Sequence, residues 1–362
     1  MKICFFVGDI SKTGGTERVT LLIANELSKK HEVSILSFQN GDKTNFEASS
    51  NITLSSLHME NAKAFWKRKI LPYTRLLRYL TREKIDILIN VDVILCLYSL
   101  PIKALVNTKM VAWEHFNFRN SNGVNNRSRA RKLAANMADQ IVVLTKEDLE
   151  EYQKNLKIKH KVDYIYNPTI QPETLPKNVE RKNIVIASGR LAPQKNFTEL
   201  LKIWSLIEKN NPSWNLVICG SGEEEIKLKK IAKEKKLKNV VFAGFVQNVE
   251  EYYQQAKIMV MTSRFEGFPM VLLEGQNAGL PIVAYDCFTG PKEIVIDGKD
   301  GYLIELGNKA KFASSLEKLM INEELREKFS LQAMEDAKRF NIKEIAKRWE
   351  DVVLSSLVLR SE

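Results

Sequence analysis

Two glutamates, Glu266 and Glu274, stand eight residues apart in the stretch SRFEGFPMVLLEGQNAGLPIVAY, which covers residues 263–285. Glu274 has mostly apolar neighbours in a predicted helix, and burying an unpaired carboxylate costs several kcal/mol. The pattern therefore predicts a polar partner for Glu274, either a ligand or solvent, and raises the question of whether Glu266 is that partner.

The helix that carries Glu274 is predicted to span about residues 269–278. Pro269 suits the first helical position, and Gly279 followed by a proline ends the helix. The free N–H groups at its entrance favour an anion, and Gly267 allows the backbone of a loop to approach a ligand closely. A ligand-binding wall and a solvated helix entrance are both consistent with this spacing.

Three further loops follow predicted strands of the second half of the chain. SGRLAPQKN places Arg190 and Lys195 behind one strand, and two such cations can neutralise a diphosphate. GSGEEE brings Gly220 and Gly222 to the end of the next strand, and FAGFVQN forms a third glycine turn. Because the ends of parallel strands share one edge of a sheet, these loops together predict a site for a phosphorylated, sugar-bearing ligand.

The first half of the chain offers two more candidates at strand ends. Gly14 and Gly15 precede a predicted helix in GDISKTGGTERV, which lacks the spacing of a dinucleotide fingerprint or a P-loop. A plain strand-to-helix connection is the alternative. His115 follows the strand KMVAWE and can hydrogen-bond a substrate or act as an acid or base near neutral pH, the alternative being a structural histidine.

Strand-like and helical segments alternate along the chain, which predicts parallel sheets with helices on both faces. The pattern starts at KICFFV and restarts at NIVIAS, after a linker rich in Pro, Lys and Glu. The predicted fold class is therefore α/β, with two doubly wound, Rossmann-like domains over residues 1–170 and 171–340 that face each other across a cleft. A C-terminal helix over 341–362 is predicted to cross back to the first domain.

Composition excludes several classes of protein. No apolar run reaches the ~18 residues of a membrane span, and the apolar stretch after Met1 is too short for a signal peptide. The four cysteines lack CxxC spacing, so we expect no disulfide framework, no zinc site and a cytoplasmic location. No two aspartates are separated by a single residue, which favours a site without a metal or other cofactor.

The net charge of +11 lies mostly in residues 1–169, which hold 26 Lys and Arg against 17 Asp and Glu. Residues 62–71 combine basic and aromatic side chains, which is typical of a helix on an anionic membrane surface. Pro72 is expected to separate this helix from one over 73–83 that packs on the sheet. The residues predicted to meet membrane or acceptor are Lys63, Trp66, Lys67, Arg68, Lys69 and Arg119.

A second basic cluster follows His115 and comprises Arg119, Arg127, Arg129, Arg131 and Lys132. We expect it to meet an acceptor diphosphate or lipid headgroups, the alternative for all of this charge being a solvated surface. Nucleic acid is not expected, because no nucleic-acid-binding module is recognisable.

These motifs resemble those of the family-4 retaining glycosyltransferases, which have the GT-B fold. The matching motifs are GGTER, the strand-end histidine, SGR with a lysine five residues after the arginine, the G-x-G turn and E-x7-E. GGTERV, EH and YNP also resemble the bacterial subgroup that extends polyprenyl-diphosphate-linked oligosaccharides. The resemblance implies a UDP-sugar donor, a glycan or polyprenyl-diphosphate-linked acceptor, and peripheral association with the inner face of the plasma membrane.

The resemblance also implies roles for individual residues. Arg190 and Lys195 would hold the donor diphosphate, Glu266 would contact the donor sugar, and His115 would lie beside the transferred sugar. Glu274 would bind the ribose hydroxyls. The residues implied in donor binding are Gly14, Gly15, Gly220, Phe245, Val246, Gly267, Phe268, Pro269, Met270 and Glu274.

The leading hypothesis is a retaining transfer of a hexose or N-acetylhexosamine to a hydroxyl of a glycan. Two alternatives stay open. A UDP-sugar 2-epimerase can use the same fold, although His115 is one of few acid/base groups available to it. A non-catalytic polyanion-binding protein would leave Arg190, Lys195, Glu266 and Glu274 unexplained together. The pattern carries no prediction of the oligomeric state.

Overall fold

The computed structural model describes residues 1–41, 43–61, 65–119, 126–171 and 180–354, with the backbone alone for 65–69. The chain divides into two compact units. Unit 1 comprises Met1–Pro168 together with the chain from Phe340 onwards, and unit 2 comprises Thr169–Arg339.

Unit 1 is built on a parallel sheet of seven strands in the order β3-β2-β1-β4-β5-β6-β7. The chain turns from one side of the sheet to the other between β1 and β4, which makes that pair its topological switch point. The strands are β1 (Lys2–Val7), β2 (Glu32–Ser37), β3 (Thr53–Ser56), β4 (Ile87–Val91), β5 (Lys109–Trp113), β6 (Gln140–Val143) and β7 (Lys161–Tyr164).

Helices flank this sheet. They are α1 (Gly15–Leu27), α2 (Phe65–Glu83), α3 (Cys96–Ser99), α4 (Arg127–Met137) and α5 (Lys146–Asn155), with 3₁₀ helices at Met59–Asn61, Val93–Leu95 and Leu100–Leu105. The predicted break at Pro72 is wrong, because α2 continues through this proline. Leu76 and Leu80 are buried in the core, and their packing keeps the turns after Pro72 helical. The missing N–H of Pro72 therefore removes one hydrogen bond without ending the helix.

Unit 2 contains a second parallel sheet, in the order β10-β9-β8-β11-β12-β13. Its strands are β8 (Ile184–Ser188), β9 (Asn215–Cys219), β10 (Val240–Gly244), β11 (Ile258–Met261), β12 (Ile282–Asp286) and β13 (Gly301–Glu305). Its helices are α6 (Phe197–Ile207), α7 (Glu225–Glu234), α8 (Val249–Gln255), α9 (Met270–Asn277), α10 (Pro291–Ile294), α11 (Lys309–Ile321) and α12 (Glu323–Ala337), with a 3₁₀ turn at Glu208–Asn210. The switch point of this sheet lies between β8 and β11.

The predicted α/β class with two doubly wound sheets is confirmed, and the strands predicted at KICFFV, KMVAWE and NIVIAS are β1, β5 and β8, within one residue at their ends. Two edge strands, β3 and β7, are missing from the prediction. Both have only four residues and no fully buried side chain, so neither forms the apolar run that marks the central strands.

The C-terminal segment packs within unit 1. Helix α13 (Ile342–Trp349) lies against α1 and is followed by a π-helix at Glu350–Leu354. The Trp349 ring meets the Trp113 ring edge-on at 4.8 Å between centroids, and Lys30 Nζ lies 2.8 Å from Glu350 Oε2. Among the helices in the described part of the chain, none has the length and apolarity needed to cross a bilayer.

Candidate functional site

The carboxyl ends of β8 and β11 bring two loops together at the switch point of unit 2. The Arg264 N–H donates to the Gln194 carbonyl at 2.9 Å, and Gln194 Nε2 donates to the Phe265 carbonyl at 2.9 Å. The Thr262 hydroxyl donates to the Lys195 carbonyl at 3.3 Å. The lysine loop and the glutamate loop are therefore fixed to each other by one backbone hydrogen bond and two hydrogen bonds from side chains to backbone carbonyls.

Glu266 and Lys195 form an ion pair across these loops. Lys195 Nζ lies 2.7 Å from Glu266 Oε1, and the two side chains are 20% and 7% exposed. Gln194 Nε2 also lies 3.4 Å from Glu266 Oε2. A buried carboxylate is stable only with such partners, so Glu266 serves to hold a partly exposed ammonium group at the entrance of α9.

Arg190 lies on the same loop but has a different environment. Its side chain is 75% exposed, and its guanidinium lies 3.1 Å from Glu223, which is exposed as well. An exposed ion pair of this kind is weak and exchanges readily with solvent or with an anionic ligand. The structure thus places the two predicted cations near one sheet edge, one fixed by a buried carboxylate and one at the surface.

Glycines close the ends of β8, β9 and β10. The Gly220 N–H donates to the Gly244 carbonyl at 2.7 Å, and the Gly189 N–H donates to the Cys219 carbonyl at 3.0 Å. A Cβ at residue 220 would lie 1.9 Å from the Gly189 carbonyl oxygen, where φ is 143°. Only glycine allows this approach, so the loops form a rim of closely packed, half-buried backbone. Phe245 projects from the rim and is 70% exposed, and Val246 beside it is half-buried.

Helix α9 begins one residue later than the sequence predicts. Pro269 is the N-cap, with an extended ψ of 100°, and the helix begins at Met270. Phe268 and Pro269 are buried, whereas Gly267 and Met270 are half-buried. The N–H groups of the first turn therefore start at Met270.

The loop after β12 supports this entrance and was not predicted from the sequence. The Thr289 hydroxyl donates to the Glu266 carbonyl at 2.5 Å, and the backbones of Phe288 and Phe265 form an isolated parallel β-bridge. Thr289 has a φ of 58°, which is rare for a β-branched residue. A Cβ at Gly290 would lie 2.5 Å from the Pro269 ring. The pair Gly290-Pro291, shortly after the apolar stretch PIVAY, is the signal that could have revealed this loop.

Glu274 has a partner other than Glu266. Its Oε2 atom lies 3.0 Å from the hydroxyl of Tyr253, and the side chain is half-buried in α9. The two glutamates of the E-x7-E spacing thus have separate partners within the protein, Lys195 for Glu266 and Tyr253 for Glu274.

His115 follows the carboxyl end of β5 in unit 1. Its ring packs on Trp113 with 4.3 Å between centroids. Burial is the main cause that lowers the pKa of His115 to about 4, Asp92 opposes this shift, and Arg127 adds to it. The imidazole is therefore neutral near pH 7, so it can accept or donate a hydrogen bond but carries no extra proton to give as an acid in this range.

A buried ion cluster lies beside His115. Arg127 contacts Asp92 Oδ1 at 2.7 Å and Glu114 Oε1 at 2.8 Å, and its side chain is 2% exposed. Arg131 Nε lies 2.8 Å from Glu114 Oε2, which also accepts a hydrogen bond from the Tyr152 hydroxyl at 3.0 Å. Burial raises the pKa of Glu114, and the two arginines oppose this rise.

The expectation that Arg127 and Arg131 meet an acceptor or lipid is therefore wrong. Helix α4 turns both side chains inward to neutralise Glu114, whereas Arg129 and Lys132 are exposed. Arg119 is also exposed and pairs with Glu151 at 2.8 Å.

The remaining predicted residues of unit 1 are placed as follows. Gly14 is the exposed N-cap of α1 and Gly15 its first residue. Lys63 lies outside the described residues, as do the side chains of Trp66, Lys67, Arg68 and Lys69. The four cysteines are buried and free. Over the described ranges, no three His, Cys, Asp or Glu side chains are grouped so as to hold a metal ion.

Two Rossmann-like parallel sheets in separate units, with charged loops and glycines at the strand ends, define the class of the GT-B glycosyltransferases. The model of the family described as Glycosyltransferase Family 4 matches residues 13–169, and that of Glycosyl transferases group 1 matches residues 171–336. The chain belongs to the family-4 glycosyltransferases.

Full-length relatives are consistent with this assignment. An uncharacterized glycosyltransferase of Haemophilus influenzae is 33% identical over 97% of this chain and 99% of its own. The amylovoran biosynthesis glycosyltransferase AmsD of Erwinia amylovora is 28% identical, over the same shares of the two chains. A Campylobacter jejuni α-1,4-N-acetyl-D-galactosaminyltransferase, named for an undecaprenol-diphosphate-linked acceptor, is 26% identical over 96% and 97%.

Solved structures share the fold. TarM superimposes with a TM-score of 0.82 at 16% identity, covering 97% of this chain and 98% of its own. HepE of Anabaena, in complex with UDP, gives 0.80 at 17% identity, covering 98% and 100%. The lipopolysaccharide outer core galactosyltransferase WaaB gives 0.78 at 21% identity over the same shares as HepE.

Proposed function

We propose that the protein is a retaining glycosyltransferase that moves a hexose or N-acetylhexosamine from a UDP-sugar to a hydroxyl of a lipid-linked glycan. Membership of family 4 supports the glycosyl transfer and a role in bacterial polysaccharide or glycan synthesis. The UDP bound in HepE supports the donor class, and the lipid-linked acceptor of the Campylobacter relative supports the acceptor class.

The ion pair of Lys195 and Glu266 at the switch point of unit 2 is the observation that carries this proposal. A departing UDP develops negative charge on its β-phosphate. A fixed ammonium and an adjacent guanidinium stabilise that charge most where they are already oriented. Lys195 supplies the fixed cation and Arg190 the mobile one, so no metal ion is required in this mechanism.

The proposed retention uses a front-face route, which the resemblance to the family-4 enzymes implies. The bond between the sugar C1 and the β-phosphate oxygen breaks, and a bond between C1 and the acceptor oxygen forms on the same face. The proton of the acceptor hydroxyl passes to the departing phosphate oxygen. Glu266 stays paired with Lys195 and does not attack C1, which distinguishes this route from the two-carboxylate mechanism of glycosidases.

We further propose that the enzyme acts at the cytoplasmic face of the plasma membrane. The excess of Lys and Arg in residues 1–169 supports attraction to anionic lipid and to an acceptor diphosphate. Binding to vesicles with and without 30% anionic lipid tests this part, since equal binding to both would contradict it.

The main experiment combines the protein with a panel of UDP-sugars and a polyprenyl-diphosphate-linked oligosaccharide, with and without EDTA. The proposal expects a product with the anomeric configuration of the donor by NMR, and equal rates in EDTA. An inverted product would refute retention, and loss of activity in EDTA would refute metal independence. Donor alone serves as the control, because an epimerised sugar in that tube would identify a 2-epimerase instead.

A further inference from the structure

Tyr253 is a buried side chain beside Glu274 that the proposed mechanism does not use. It lies in α8 and is 1% exposed. Its hydroxyl lies 3.0 Å from Glu274 Oε2 and 2.5 Å from Ser188 Oγ. Ser188 is the last residue of β8, directly before the loop that carries Arg190. One hydroxyl therefore contacts both the helix with the second glutamate and the strand that leads to the cations.

The direction of these hydrogen bonds follows from the number of protons. A carboxylate only accepts, and a phenol has a single proton to donate. Tyr253 therefore donates to Glu274, and Ser188 donates to Tyr253. Burial, reinforced by the charge of Glu274, raises the pKa of Tyr253 well above its usual value, so the phenol keeps its proton at neutral pH.

The backbone of Glu274 is fixed independently of Tyr253. Helix α9 packs so closely on β11 that a Cβ at Gly275 would lie 2.4 Å from the Met259 sulfur. What is left to fix is the glutamate side chain, and ordering a flexible glutamate opposes binding through lost rotamer entropy. A buried hydroxyl within hydrogen-bond distance orders the carboxylate before any ligand arrives.

We propose that Tyr253 is a positioning residue that holds the Glu274 carboxylate ready for the ribose hydroxyls of the UDP-sugar. Through Ser188, it links this orientation to the loop that carries Arg190 and Lys195. The inference rests on the proposed function, because the ribose-binding role of Glu274 is part of that function.

The test compares the Kd values of UDP and 2′,3′-dideoxy-UDP, measured by calorimetry for the wild-type protein and for Tyr253→Phe. We expect the variant to bind UDP about tenfold more weakly, since it loses a hydrogen bond to a charged group. Its Kd for the dideoxy nucleotide should change less than twofold, because that ligand offers Glu274 no hydroxyl. Both ligands are measured on the same protein, so a general loss of stability does not mimic this difference.

Equal losses for the two nucleotides would overturn the inference, since Tyr253 would then support the pocket as a whole. If Tyr253→Phe does not fold, Ser188→Ala is measured in its place. This variant keeps Tyr253 and removes the hydroxyl that donates a hydrogen bond to it. We expect about a threefold loss for UDP alone in that variant, and an equal loss for both ligands would again overturn the inference. A wild-type protein that binds neither nucleotide would refute the UDP-sugar donor itself, an outcome distinct from the failure of Tyr253.

Discussion

Lys195 Nζ lies 2.7 Å from Glu266 Oε1, although 71 residues separate the two in sequence. The pair gives the first glutamate of the E-x7-E spacing a structural partner, and it gives the lysine a fixed position at the end of β8. An ammonium group held by a buried carboxylate does not need to be ordered when a diphosphate binds. The pair thus connects the stability of unit 2 with its proposed chemistry.

Removal of Lys195 should reduce stability and activity together. Lys195→Met leaves the Glu266 carboxylate buried without its cation, which should lower the free energy of unfolding by about 2–3 kcal/mol. Transfer should fall at least ~100-fold, because the leaving group loses a fixed cation. Urea unfolding and the transfer assay measure the two effects.

The exposed cation provides the matched control for Lys195. Arg190→Ala should leave the urea midpoint unchanged, because Arg190 pairs with Glu223 at the surface. Its transfer rate should still fall, since the guanidinium is proposed to bind the diphosphate. An Arg190→Ala protein with full activity would contradict its assignment.

The Thr289 hydroxyl should matter for the position of Glu266. Thr289→Val keeps the shape of the side chain but leaves the buried Glu266 carbonyl without this donor, which should cost about 1–2 kcal/mol of stability. Transfer should fall about tenfold, because the carboxylate shifts with its backbone. Thr289→Ser keeps the hydroxyl and should retain activity, so equal rates for the two variants would exclude this role.

Strand ends and glycine turns could be predicted because their signals are local. Short apolar runs followed by Gly220 or by SGR mark β9 and β8, and such runs do not depend on distant residues. Pro269 and the Gly279 stop likewise gave the helix that carries Glu274 to within one residue at each end. These features account for the confirmed sheets and for the placement of Arg190 and Lys195 at one sheet edge.

The buried partners could not be predicted, because tertiary packing determines them. Arg131 occurs in a basic run that is typical of an exposed surface, and only the position of Glu114 at the end of β5 shows that it faces inward. Tyr253 has no sequence feature that separates it from Tyr252 beside it. Thr289 depends on a left-handed backbone, which the glycine-proline pair after it suggests only in part.

Because Arg131 points inward, its substitution should reduce the stability of the protein rather than its binding of a ligand. Arg131→Ala leaves Glu114 with one arginine fewer in a buried site, and the free energy of unfolding should fall by about 3 kcal/mol. Arg129→Ala, two residues earlier on the exposed face of α4, should be neutral. Urea unfolding of both variants measures these effects. Equal midpoints would contradict a buried role for Arg131 and favour its location on the surface.

His115 should make the protein less stable in mild acid. Because burial lowers its pKa from 6.5 to about 4, the folded state binds fewer protons than the unfolded state between these values. The contribution of His115 to stability is therefore complete above pH 6.5 and is lost as the pH falls towards 4, by up to about 3 kcal/mol.

His115→Gln does not titrate, so the difference in unfolding free energy between wild type and variant should rise with pH across this window and level off near pH 7. Taking the difference removes the contribution of Asp148, which is present in both proteins and has the opposite sign. Burial raises the pKa of Asp148 to about 7, so this group stabilises the folded state more at lower pH. A difference that stays flat from pH 4 to 7 would show that His115 is accessible to protons in the folded protein.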